Sequence, residues 1–162
     1  DIDSSESAYF YGLLYKAKKN KTIDDLIVYV DITDDTTRKK QCYWQMIRTI
    51  KKNDNDPSLE AQLYLKAVSL YDENYKYLAS LLNSFAWRMT EIGQLLPEAL
   101  EKVNYALEIE DDLKILDTKA EVLWKLGRVE EAIEVINECI QGDPEYQHYQ
   151  DQKAKFLATK AL

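Results

Sequence analysis

Glycine, proline, cysteine and histidine are all scarce in this chain, which has four, three, two and one of them. So few turn formers exclude a many-turned β-sandwich and a loop-rich, disulfide-stapled scaffold. The two cysteines, Cys42 and Cys139, stand far apart and outside any Cys-x-x-Cys pattern, so they are expected as small buried hydrophobes rather than metal or redox ligands. The single histidine, His148, lies between Tyr146 and Tyr149 with no clustered cysteines to complete the three or four ligands of a zinc site; a surface position is expected for it. No run approaches the ~20 apolar residues of a membrane span, so no membrane insertion is expected, and no cleavable signal is visible at the start. The first residue is Asp rather than Met. That reads as a mature or trimmed chain, with Asp1 to Ser5 as a linker remnant and a secreted or periplasmic location left open.

What is present is a chain of 162 residues, 46% apolar and 31% charged. Folding at this size removes roughly 70% of the unfolded surface from water, enough for one compact domain or a short solenoid. The net charge of -8 opposes nucleic acid or anionic lipid as the main partner and suits a basic or amphipathic segment instead. Acid pairs at Asp24-Asp25, Asp34-Asp35 and Asp111-Asp112 fall at expected helix starts, where they complement the helix dipole. No Gly-rich phosphate loop, Gly-x-Ser-x-Gly or His-Glu-x-x-His occurs. No enzymatic activity, catalytic residue, metal or cofactor is therefore expected.

An internal repeat organises the second half. Leu82, Ala86, Met89 and Gly93 recur 34 residues later as Leu116, Ala120, Leu123 and Gly127. Leu96, Ala99, Leu100, Val103, Ala106 and Leu107 recur 33 residues later as Val129, Ala132, Ile133, Ile136, Cys139 and Ile140. The spacing i, i+3, i+4, i+7 is that of a helix burying one side, so each unit is two helices. Gly93 and Gly127 stop the first helix of each pair, and Pro97 sits near the start of a second helix, where its missing N–H costs little. The change from 34 to 33 places one extra residue in the turn after Gly93. Ala86, Ala99, Ala120 and Ala132 are expected where paired helices approach.

A helix-turn-helix of this length, with small residues at the close approach, resembles the tetratricopeptide repeat family. Residues 113 to 146 carry the best match, through Leu116, Ala120, Leu123, Gly127, Val129, Ala132, Ile136, Cys139 and Asp143-Pro144, and residues 79 to 112 look like a second copy with Asp111 in place of the usual Pro. Counting on to Ala154 and Leu157 adds one capping helix, whose Gln150, Lys153, Lys155 and Lys160 would wet a terminal face. The resemblance thus implies an all-α solenoid, with two repeats and a cap over residues 76 to 162. In that family the first helices line a concave groove, and the matching positions here are Asn83, Trp87, Thr90 and Glu91, then Lys114, Asp117, Glu121, Trp124 and Lys125. Asp117 and Glu121 depart from the family's carboxylate clamp. An aromatic and acidic groove is expected to take a peptide or helix with basic and apolar character, anchored on exposed tryptophan.

Residues 1 to 75 read as four helices, forming two degenerate hairpins packed on the repeats as one continuous domain. Their stripes are Ala8, Tyr11, Gly12 and Tyr15; Ile23, Leu26, Ile27 and Val30; Tyr43, Met46, Ile47 and Ile50; and Leu59, Leu63, Ala67 and Leu70. Thr22 and Asp34 or Asp35 are expected N-caps, and Pro57 opens a helix after Asn53-Asp54-Asn55-Asp56. Leu26 to Val30 has strand propensity but is read as helix. The twelve tyrosines serve packing more than binding. Function is then a protein-binding scaffold. The alternative is a helical appendage of a larger redox protein, since residues 81 to 89 resemble the repeat tail of secreted bacterial thioredoxin-like proteins. A groove filled by the chain's own helices or by a second copy stays open.

Overall fold

The computed structural model describes residues 2 to 53 and 56 to 160, and among these residues it is all helical, without strands. The helices are α1 (Ile2–Asn20), α2 (Asp24–Ile32), α3 (Thr36–Asn53), α4 (Pro57–Val68), α5 (Leu78–Ile92), α6 (Leu96–Ile109), α7 (Leu113–Lys125), α8 (Val129–Gly142) and α9 (Gln147–Lys160). Asp1, Asp54 and Asn55, which belong to the expected linker and polar run, lie outside the described residues. Contacts gather into two units, Asp1–Asp72 and Glu73–Leu162.

In the first unit α3 packs against α1, α2 and α4. Its core joins Phe10, Leu13 and Ala17 of α1 to Leu26, Tyr29 and Val30 of α2, to Cys42, Met46 and Ile50 of α3 and to Leu63 and Ala67 of α4. The stripe read on α1 is corrected here: Tyr11, Gly12 and Tyr15 face solvent, and Phe10, Leu13 and Ala17 are buried. Both stripes have helical spacing. Phenylalanine and leucine have no polar tip to keep wet, so their side wins the core. The helix α1 starts at Ile2, and Arg38 of α3 donates to Glu6 Oε1 at 2.6 Å and Ser7 Oγ at 3.1 Å. Leu26 to Val30 is helical, with Leu26, Tyr29 and Val30 buried at i, i+3 and i+4; packing overrides its strand propensity.

Capping follows the acidic residues. Asp35 Oδ1 accepts from the N–H of Thr37 and Arg38, and Asp56 Oδ1 from that of Leu59, leaving Pro57 at the first helical position. Thr22 does not cap; the residue before α2 is Ile23, and its side chain makes no cap. Trp44 had no role from sequence. It packs edge-on against Tyr64, and its indole N–H donates to Tyr71 Oη at 3.0 Å.

In the second unit α5 pairs with α6 and α7 with α8, while α7 also packs on α5 and α6, and α9 on α8 and α7. Ala86, Ala99, Ala120 and Ala132 are all fully buried, as the repeat requires. Gly93 and Gly127 take φ of 66° and 77°. Past each, the next N–H returns to a carbonyl five residues back, Gln94 to Met89 and Arg128 to Leu123. These bonds satisfy carbonyls that the helix end would otherwise orphan. The extra turn residue is absorbed by Leu95, forced to φ 46°, a region that branched side chains rarely enter. Cys42 and Cys139 are buried, and burial pushes their thiols up to about 11 and about 12, away from the reactive thiolate.

The register read for α9 is corrected. Ala154 and Leu157 are exposed, and the buried residues are Tyr149, Gln152 and Phe156. Counting 33 rather than 34 from Leu116 and Leu123 reaches Tyr149 and Phe156. Their rings fill the interface where Leu116 and Leu123 serve in the preceding repeat.

Candidate functional site

The candidate site is built on one stripe of α5 and one of α7, each at i, i+4, i+8: Asn83, Trp87 and Glu91, then Asp117, Glu121 and Lys125. A four-residue step advances a helix by slightly more than one turn, so each triplet lies on one face.

On α5, Asn83 is half-buried, and its Oδ1 is enclosed without a hydrogen-bond partner. Trp87 is 37% exposed, and its indole N–H donates to Glu91 Oε1 at 3.2 Å. Arg88 Nη1 donates to Glu91 Oε2 at 2.9 Å, fixing that carboxylate beside the ring. Thr90 is buried and donates to the Trp87 carbonyl at 2.7 Å, so it stiffens the helix and offers nothing to a ligand.

On α7 the expected open surface is instead covered by α9. Asp117 and Glu121 retain only 8% and 6% exposure. His148 Nε2 lies 3.0 Å from Asp117 Oδ2, so the expected surface histidine is a partner of a buried carboxylate. Lys155 donates to Glu121 Oε2, turning inward where a wet terminal face was expected. Trp124 stacks on Phe156 at 5.7 Å and donates to Thr159 Oγ1 at 3.0 Å. Lys155 and Lys125 lie over its ring at 4.4 and 4.8 Å. Lys114 and Lys125 are exposed.

The structure therefore divides the expected site. Asp117, Glu121 and Trp124 form an internal docking surface for α9; Asn83, Trp87, Lys114 and Lys125 remain at least partly open. One signal for this was available, since Lys155 follows Glu121 by a full period of 34. The junction resists charge: burial raises the Asp117 carboxyl above its ordinary value, opposed by the attraction of His148 and Lys155 and reinforced by Glu121. No trio of nucleophile, base and orienting group is assembled here. The arrangement can hold cations and apolar rings, as it holds those of α9. Among the described residues no helix is long and apolar enough to cross a membrane. No protein-family model, curated protein or solved structure matches the chain.

Proposed function

We propose that this chain is a protein-binding scaffold, a short solenoid of two tetratricopeptide-like repeats with α9 as its cap. Its partner is a peptide or helix of basic and apolar character, held on the open part of the α5–α7 face. The observation that carries this reading is the grouping on α5 of an exposed Trp87 with the Glu91 carboxylate at its edge. A tryptophan that is wet in the free protein gains most by being covered. Beside it, a carboxylate steers and orients a lysine or arginine. The chemistry has an example within the chain, where His148, Lys155 and Phe156 of α9 meet Asp117, Glu121 and Trp124.

Leu82, Phe85, Ala86 and Met89, within the stretch that resembles the thioredoxin-like tail, are the buried face of α5. They support helix packing and favour no separate function.

The test is selection from a displayed peptide library, followed by titration of the enriched peptides. Lysine or arginine flanking an apolar residue should be enriched. Trp87→Ala should speed dissociation, and Glu91→Lys should slow association and reduce its salt dependence. Peptides that bind both variants as they bind the parent would remove this face as the site.

A further inference from the structure

We propose that the solvent-facing side of α1 is a self-association surface, on which α1 of a second copy of this chain packs antiparallel. Tyr11 and Tyr15 are 61% and 65% exposed, on a helix whose other side buries Phe10, Leu13 and Ala17. Along the exposed side Ser4, Ala8, Tyr11 and Tyr15 follow one another at steps of four, three and four. That is the seam spacing by which two helices pack along their length.

The stripe carries no charge of its own, which is unusual for a wet helix face. The charges beside it are taken up within the chain. Glu6 pairs with Arg38 of α3, Lys16 pairs with Asp25 of α2, and Lys19 Nζ lies 5.8 Å from the centre of the Tyr15 ring. What the helix turns to solvent is therefore aromatic, hydroxyl and alkyl surface.

Gly12 adds an independent observation. It stands mid-helix, where glycine weakens a helix relative to alanine. Its φ is not positive, and a Cβ added to it would meet nothing within 4 Å. Neither the backbone nor the packing of one chain uses the missing side chain. Gly12 lies about one turn from both Ala8 and Tyr15, on the same exposed side, where a bare backbone lets another helix or ring come close.

The shape of the stripe selects the occupant. Its first half is small, Ser4 and Ala8, and its second half is bulky, Tyr11 and Tyr15. Antiparallel pairing about a two-fold axis midway between Ala8 and Tyr11 sets Tyr11 of one copy against Ala8 of the other, and Tyr15 against Ser4. Each ring enters the space that a small residue leaves, so the one surface is complementary to itself, as a two-fold contact requires. Parallel pairing would set ring on ring and leave a gap at the small end. One helix stripe from each copy lies at the low end of specific interfaces, below ~1,200 Å2 in total, so the pair is expected to be reversible.

The experiment is sedimentation velocity of the full chain from about 5 to about 500 μM, a range that spans weak reversible pairing. A monomer–dimer equilibrium is expected. Ala8→Glu should weaken it about tenfold or more, and Gln62→Glu, the same charge change on the exposed side of α4, should leave it unchanged. Gly12→Gln separates pairing from folding: it should raise the melting temperature in dilute solution, because glutamine is the better helix former, and still weaken the dimer. Cross-linking reads the direction. Cys42 and Cys139 are buried and do not compete, so a short bismaleimide should join two copies of Ala8→Cys. It should not join two copies of Lys19→Cys, whose thiols stand about 28 Å apart in the antiparallel pair. The proposal is overturned if the chain sediments as a monomer throughout, if Ala8→Glu and Gly12→Gln pair as the parent does, or if Lys19→Cys is joined as readily as Ala8→Cys.

Discussion

At the α7–α9 junction the Asp117 carboxyl lies above its ordinary value of 3.8 because burial outweighs the pull of His148 and Lys155. A carboxyl with a raised folded-state value takes up protons on folding. Its favourable contribution is full below the ordinary value and is lost as pH rises through the raised one. Asp117→Asn removes this dependence, so the melting temperature of the variant should gain on that of the parent as pH climbs from about 4 towards neutrality. Parallel melting temperatures across that range would show that the charge is not penalised in the fold. Ala120, by contrast, is a matter of volume. Fully buried against the paired helix, it should not accept a larger side chain, and Ala120→Leu is expected to cost roughly 1 to 3 kcal/mol in denaturant titration. These two positions also differ in legibility. The alanine was visible because repeats place a small residue at each close approach, whereas the partner of Asp117 stands 31 residues away and looked like a surface histidine.

Among the elements, α5 to α8 were legible and α1 and α9 less so, for a common reason. The first four carry aliphatic stripes and glycine stops repeated at a fixed period, so each copy checks the other. In α1 two stripes compete, and only the tertiary environment assigns the tyrosine side to water. In α9 the anchors change to Tyr149 and Phe156, and much of the rest of its contact is made by His148, Lys155 and Thr159, which in sequence resemble a solvated face. The helix is tied down by few side chains. Phe156 is the deepest, fully buried against Trp124, and Phe156→Ala should cost roughly 3 to 5 kcal/mol in global stability. A loss below about 1 kcal/mol would mean that α9 undocks without the rest of the unit. Trp124→Ala should act in the same direction, so its effect on partner binding has to be separated from its effect on the cap.

At the scale of the molecule, charge is unevenly shared: residues 1 to 72 hold 11 Lys and Arg against 12 Asp and Glu, and residues 73 to 162 hold 10 against 17. The uneven charge was written in the sequence too, yet a single net figure concealed it. Raising salt from about 20 to about 200 mM screens self-repulsion among the surplus carboxylates of residues 73 to 162 and should therefore lift their melting transition. A transition that falls with added salt would show that attractive pairs, such as Lys155 with Glu121, dominate that unit instead.

The pairing of His148 with Asp117 has a practical consequence. Because the chain has one imidazole, its ring protons are assigned without ambiguity in a nuclear magnetic resonance spectrum, and they sit at the α7–α9 contact. Without any introduced label, line broadening or a second set of ring signals would report how often the last helix lifts away and on what timescale, and a partner that competes with α9 would announce itself there first.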